Sequence, residues 1–349
     1  MDAQPALEDV LERMTVDVPH LTGGVAFGIP NDKSAVAAAV GIADPLTNRS
    51  MTTDATFRIA SQTKTFTAAA VLRLHEEGEL DIDDSIERFF DGGLVRRLSV
   101  IDGIPRGHEI SVRQLLAHSS GLAECDAEPF FEILFSRPEK RWTPWEKVEM
   151  CISARPPYFP PGQGVRYCDP GYILLAMIIE QVTEAPLASA FRSLLRFEDL
   201  GLRTIHLESL EPTPQGAGPR VRHFVGERDV TDIDPSCDLW GAGGLVSDAH
   251  DVAWFWRHLF DSRVFASPKT FEIMRHHQMS EGHGPLAMGL MYAEWEGLRI
   301  WRHGGAWGSI VLHEETTRTT VAAFVNQYLD GIPFPTRYSF YLGLLRATA

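Results

Sequence analysis

Strand-like segments occupy the two ends of this chain, with little between them. Near the start, the runs 24–29 and 35–42 flank Pro30-Asn31-Asp32-Lys33, a turn composition, and predict a hairpin. Near the end, the runs 286–292, 298–302, 309–313 and 320–326 read as strands. The region from about 81 to 237 reads as helix and loop. The economical architecture is one central antiparallel sheet built from both termini and flanked by helices, an α/β (α+β) fold. It divides the chain into a sheet domain, 1–80 and 240–349, and a mainly helical inserted lobe, 81–239. A site between two lobes is the default location for a ligand pocket.

Several helices announce themselves locally. Leu7, Val10, Leu11 and Met14 share one face of a segment at 6–14. The stretch 111–122 reads as a helix stopped by Gly121. Thr143-Pro144-Trp145-Glu146 is a capping box with proline at the first helical position. Asp169-Pro170 opens a helix whose apolar face is Ile173, Leu174, Met177, Ile178 and Val182. Further helices are expected at 249–260 and 336–346, and 212–219 is the most linker-like stretch.

Composition limits the function classes. Of 349 residues 44% are hydrophobic, enough for a substantial core. No run of 18 uncharged apolar residues exists, so no membrane span is expected. The net charge of −15 makes nucleic acid and anionic membranes poor partners. Met1-Asp2-Ala3-Gln4-Pro5 has neither a basic start nor an apolar run, so a cytoplasmic location is the expectation. Cys125, Cys151, Cys168 and Cys237 show no C-x-x-C spacing, which suits free thiols in a reducing compartment. His276, His277 and His283 match no common ligand spacing, and no metal is expected.

One motif carries chemistry. In Phe57-Arg58-Ile59-Ala60-Ser61-Gln62-Thr63-Lys64, a serine precedes a lysine by three residues at the head of an apolar helix. Positions i and i+3 share a helix face. A lysine amine in a dry pocket beside a serine hydroxyl is a base for activating it. The competing reading is an N-capping serine with a solvated lysine one turn on. The chain has only five lysines, and this one lies in an apolar stretch.

Taken with Gly78-Glu79-Leu80-Asp81, Leu115-Leu116-Ala117-His118-Ser119-Ser120-Gly121-Leu122, Tyr167-Cys168-Asp169, Gly241-Ala242-Gly243-Gly244-Leu245 and His303-Gly304-Gly305, the chain resembles the serine β-lactamase and penicillin-binding hydrolases. The branch is that of class C β-lactamases, D-alanyl-D-alanine carboxypeptidases, D-aminopeptidases and esterases. The resemblance covers nearly the whole chain and implies a β-lactamase-like fold. It also implies Ser61 as nucleophile and Lys64 as its proton-handling partner. Tyr167 would take the serine proton, as phenolate or through Lys64, then protonate the leaving group. A tyrosine acts so near neutrality only if cations such as Lys64 stabilise the phenolate. His303 would belong to the same hydrogen-bond network. The N–H groups of Ser61 and Ala306 would form the oxyanion hole, the second from an edge strand. Gly304, Gly305 and Trp307 would line the substrate site, the glycines admitting substrate close to the strand.

Two departures bear on the substrate. Asp169 stands where the family has asparagine, and Gly304 where it has a hydroxyl that helps hold a substrate carboxylate. Both changes make the pocket less hospitable to an anion. Asp169 followed by proline is also an N-cap pattern, and both readings stand. The resemblance thus implies a cofactor-free serine hydrolase forming an acyl-enzyme on small amides or esters, D-amino-acid amides favoured. An esterase or a D,D-carboxypeptidase/β-lactamase is the alternative enzyme, and a ligand-binding sensor the alternative non-enzyme.

Overall fold

The computed structural model describes residues 3–31, 33–125 and 127–349; Met1, Asp2, Asp126 and the Asp32 of the expected hairpin turn lie outside the described residues. Helix α1 (Ala3–Asp17) buries Leu7, Leu11 and Met14, the face that the spacing predicts. The hairpin of β1 (Gly23–Ile29) and β2 (Val36–Asp44) follows, then the short β3 (Arg49–Ser50). Helices α2 (Thr63–Glu77), α3 (Pro144–Ala154), α4 (Asp169–Thr183) and α5 (Ala249–Phe260) come next, with shorter helices between them. Six strands complete the sheet: β4 (Gln278–Ser280), β5 (Gly284–Leu286), β6 (Met291–Trp295), β7 (Leu298–Gly305), β8 (Ser309–Glu314) and β9 (Thr319–Val325). Helix α6 (Phe334–Thr348) closes the chain.

The nine strands form one antiparallel sheet in the order β4-β5-β6-β7-β8-β9-β1-β2-β3. The first strand therefore pairs with the last, from Gly24↔Val325 to Ile29↔Thr320. Helices α1 and α6 cover one face, where Leu7, Leu11 and Leu344 meet Ile310 and Leu312. Helices α2 and α5 pack below the other, and the stacked Phe66 and Phe255 rings, 3.9 Å apart, join them. With both faces covered, every residue of β9 is buried, and after Thr319 and Thr320 its sequence, Val321–Val325, is apolar without alternation. Helix α4 packs between α2 and α3, which carries the helical region onto α2.

Local signals held where the determinants were local. Thr143 and Glu146 form the reciprocal capping box, and α5 spans the expected residues. Three readings need correction. The single strand expected at 286–292 is two, because the Ala287 N–H turns back to the Leu290 carbonyl. The helix expected to reach Gly121 ends at Leu116, and His118 takes a left-handed φ of 55°. The four cysteines are not all free: Cys125 and Cys151 form a disulfide, with Cα atoms 4.4 Å apart, while Cys168 and Cys237 are buried thiols. The bonded pair lies 26 residues apart and meets only through tertiary packing, so spacing carries no sign of it. The disulfide removes the cysteine-based argument for a reducing compartment. Among the described residues no single helix is long and apolar enough to cross a membrane.

Candidate active site

Ser61 sits on a single 3₁₀ turn, Ala60–Gln62, that runs directly into α2. It is not a cap: no side-chain capping bond forms at either helix start. The preceding residues are pinned from several sides. The Ile59 N–H donates to the Leu245 carbonyl, and Ser309 Oγ donates to the Ile59 carbonyl at 2.9 Å. Arg58 is buried, pairs with Glu208 at 2.7 Å, and donates to the carbonyls of Val230, Thr231 and Ile233. Ala60 is held at φ 46°, a left-handed conformation that a non-glycine residue adopts only under surrounding constraint. Strand β7 approaches so closely that a Cβ on Gly305 would lie 2.1 Å from the Ile59 carbonyl oxygen. Gly305 thus serves contact between the strand and the serine turn.

Lys64 is fully buried, and its ammonium has four neighbours. It donates to Ser61 Oγ at 3.1 Å and to the Ala242 carbonyl at 2.8 Å. It pairs with Asp169 Oδ1 at 2.7 Å and lies 4.8 Å from the centre of the Tyr167 ring. The Gly241-Ala242-Gly243 segment can bring its carbonyl there because Gly241, at φ 75°, has no Cβ to strike Tyr172 and Ala176. Burial pulls the Lys64 pKa down, but Asp169 and then Tyr167 outweigh it and hold the ammonium above its ordinary value. Tyr167 lines the cleft together with Ser61. Burial pushes its phenol up, Lys64 opposes and Asp169 adds, so the net direction is up. These directions go with a protonated lysine and a neutral tyrosine, and of the two routes in the sequence reading they suit the one through Lys64 rather than the phenolate. Asp169 does not cap α4; Cys168 holds the cap position, and the Asp169 side chain, 36% exposed, faces Lys64.

Three histidines surround Tyr167. The His118 ring stacks on it at 4.6 Å, and His118 Nδ1 accepts from the Cys168 N–H, which fixes the proton on Nε2. His283, at the β4–β5 turn, also lies near-parallel at 5.1 Å. His303 is tilted at 6.4 Å, and its Nδ1 bonds with the Gly304 carbonyl. Burial, then the Lys64 charge, lowers the His303 pKa to about 3 and keeps it neutral. Strand β7 is not an edge strand, because β4, β5 and β6 lie outside it. Its pairing with β6 stops at Met291↔Arg302, however, so residues 303–305 are open on that side and Ala306 follows immediately.

Two recesses meet at Ser61, Tyr167 and Ala306. One, of about 410 Å³, is walled by Phe130, Phe131, Tyr158, Trp307 and Tyr328, with Glu124, Asp169 and Asp238 among its polar groups. Trp307 Nε1 donates to Asp238 Oδ2 at 3.1 Å. Glu124 accepts from the Asp169 and Cys125 N–H groups. Burial and the Asp169 charge raise its pKa to about 8. The other recess, of about 610 Å³, runs past Gly304 to Arg302 and Arg337.

The profile of the family described as Beta-lactamase matches residues 11–334. The chain belongs to the Beta-lactamase family. Among relatives of this Beta-lactamase family protein, Esterase EstB of Burkholderia gladioli is 29% identical over 262 residues, covering 67% of this chain and 64% of that protein. A D-aminopeptidase of Brucella anthropi is 26% identical over 291 residues, covering 81% of this chain and 51% of the relative. The chain thus spans about half to two thirds of the length of these curated relatives. The solved D-stereospecific amidohydrolase from Streptomyces sp. superposes with a TM-score of 0.82 at 26% identity, covering 99% of both chains.

The structure brings Ser61, Lys64, Tyr167, Asp169 and Ala306 together, with His303 beside them and Trp307 in the wall. Gly304 lines the larger recess, whereas Gly305 is buried against Ile59. Sequence reasoning missed Ala242, His118, Glu124 and Asp238. The first two lie inside motifs already quoted, so their signal was present without a role. Glu124 is a single acid in a loop and Asp238 one at the end of a short 3₁₀ helix, and neither carries a local signature.

Proposed function

We propose that this Beta-lactamase family protein is a serine hydrolase that forms an acyl-enzyme on amides of D-amino acids bearing a free amino group. The carrying observation is the Ser61–Lys64 contact of 3.1 Å, with Lys64 clamped by Asp169 at 2.7 Å and 4.8 Å from the centre of the Tyr167 ring. As Ser61 Oγ attacks the carbonyl carbon, its proton passes to Lys64 while Lys64 passes one of its own to Asp169. Lys64 stays protonated beside the developing oxyanion, which the Ser61 and Ala306 N–H groups receive. Neutral Tyr167 then protonates the leaving nitrogen as the C–N bond breaks. The proton on Asp169 returns through Lys64 to the phenolate. Water repeats the sequence on the acyl-enzyme.

The aromatic recess suits an apolar side chain, and Asp238 at its wall suits the substrate ammonium. The likeness to the D-stereospecific amidohydrolase over the whole chain supports the D configuration. Ester hydrolysis by the same serine is the second reading, favoured by the likeness to Esterase EstB. The test is turnover of D- and L-phenylalaninamide and p-nitrophenyl acetate. D-amide turnover with an ester burst is expected. Ester turnover with both amides intact would replace the first reading by the second.

A further inference from the structure

The chain that carries Tyr167 has no regular secondary structure. Residues 164–168 run as irregular backbone into α4, with Cys168 at its cap position. A proton donor on such a stretch keeps its place only through bonds from outside it. His118 supplies two of them. The Arg166 N–H donates to the His118 carbonyl at 2.9 Å, and the Cys168 N–H donates to His118 Nδ1 at 3.2 Å. The backbone before and after Tyr167 is thus tied to one residue, whose ring also stacks on the phenol at 4.6 Å. His283 and His303 face the phenol too. Among the described residues, however, their ring nitrogens bond to the carbonyls of Glu281 and Gly304 and not to the Tyr167 stretch.

His118 can hold this stretch because it is itself fixed. It is 2% exposed. The short helix Val112–Leu116 ends just before it, and a φ of 55° turns the chain there. Histidine and asparagine are among the few side chains that favour this left-handed conformation. The Tyr172 ring lies 4.9 Å from the imidazole, and the Tyr172 hydroxyl donates to the Leu116 carbonyl at 2.8 Å. On the other side, the Ser119 carbonyl accepts from the Gly162 N–H at 2.8 Å. Burial, then the Lys64 charge, hold the imidazole pKa well below its ordinary value, so Nδ1 keeps the lone pair that the Cys168 N–H needs.

We infer that His118 is the positioning residue of Tyr167: by accepting from the backbone on both sides, it holds the phenol where it protonates the leaving group. His118 handles no proton of the reaction and acts through Tyr167 alone. This rests on the proposed hydrolase reading and deepens it by naming the residue on which the proton donor depends. It follows that His118 matters only for leaving groups that need a proton. An amide nitrogen must be protonated as the C–N bond breaks, whereas p-nitrophenolate departs as the anion.

The test uses two substitutions that both remove the ring. Asparagine puts Oδ1 where Nδ1 stood and tolerates the left-handed φ; glutamine carries the same amide one methylene further out. The readouts are kcat and KM on D-phenylalaninamide and the burst rate with p-nitrophenyl acetate, which reports acylation. His118→Gln is expected to lose about 100-fold in kcat on the amide, the scale of a misplacement of about 1 Å, with KM and the ester burst rate within about threefold of wild type. His118→Asn should rescue most of the amide loss. Equal losses on amide and ester in His118→Gln overturn the inference, because a merely structural residue would affect both. An unchanged amide kcat in His118→Gln overturns it as well. So does a selective amide loss in His118→Asn, which would assign the placement to the stacked ring. Failure of His118→Gln to fold would assign the bond to folding alone and likewise overturn it. Intact D-phenylalaninamide after incubation with the wild type removes the D-amide reading only; phenyl acetate, with its more basic leaving group, then takes the place of the amide in the same comparison. A wild type that turns over none of these substrates removes the hydrolase reading, and this inference with it.

Discussion

Asp169 is the residue on which the chemistry turns. A neutral asparagine there would leave Lys64 buried without a counter-charge. The carboxylate keeps the ammonium charged and gives the serine proton a destination. In Asp169→Asn the main influence raising Lys64 disappears, and so does one that raises Tyr167, so both groups should titrate lower. We expect kcat at pH 7 to fall roughly 100-fold, the low end of the usual range for a lost acid–base partner. Activity should recover as pH rises and Lys64 and Tyr167 share the base role. An unchanged kcat and pH profile would contradict a proton-accepting Asp169. The neighbouring Tyr167→Phe and Lys64→Met changes should be strongly non-additive in kcat, because the two side chains handle one proton; additive losses would separate them. Ser61, Lys64 and Tyr167 were legible because family motifs mark them. The Asp169–Lys64 pair was not, because proline after aspartate is equally a helix-start signal.

At the level of elements, the site depends on how closely β7 lies against the serine turn. Gly305→Ala would put a Cβ 2.1 Å from the Ile59 carbonyl and 2.2 Å from Ser309 Oγ, so the turn or the strand must move. Overpacking of this kind costs about 1–3 kcal/mol or more. We expect a clearly lowered melting temperature and at least a tenfold loss in kcat. Gly304→Ala, whose Cβ would stand closest to the Leu329 side chain, at 3.3 Å, with ordinary contacts to Ile310 and Ser309 at 3.8 Å, should melt close to wild type. Equal melting temperatures for the two variants would contradict the packing account. Elements with local signals, such as the Thr143 capping box and the apolar face of α1, were readable from sequence. The break between β5 and β6 was not, because a tertiary turn interrupts a run that stays apolar. The Cys125–Cys151 bond, joining the Glu124 loop to α3, is likewise a product of packing.

On the scale of the whole molecule, both termini build one sheet, a pattern visible in the distribution of strand-like segments. The pairing of β1 with β9 was not, because register between distant strands has no local code. Buried acids near the site and at the start of α5 should give the molecule a characteristic pH response. Burial and neighbouring carboxylates raise Glu124 to about 8 and Asp248 to about 6. The folded chain therefore holds protons that the unfolded chain releases near pH 4, and their stabilisation is lost as pH rises through 6 and then 8. Histidines that burial keeps neutral, His303 and His313 among them, act in the opposite sense up to about pH 6.5, so the fall in melting temperature should appear between pH 7 and 8.5. The slope should flatten in Glu124→Gln with Asp248→Asn, a change that keeps the α5 cap. A flat wild-type profile, or a slope unchanged in the double variant, would contradict these assignments. The central claim is that the whole fold converges on one acylated serine. Intact-mass and peptide mapping of the wild type, quenched during D-phenylalaninamide or p-nitrophenyl acetate turnover, measures this directly. The account predicts an acyl adduct confined to the Ser61 peptide and absent from Ser61→Ala, which should also be inactive. An adduct on another residue, or full activity in Ser61→Ala, would contradict it.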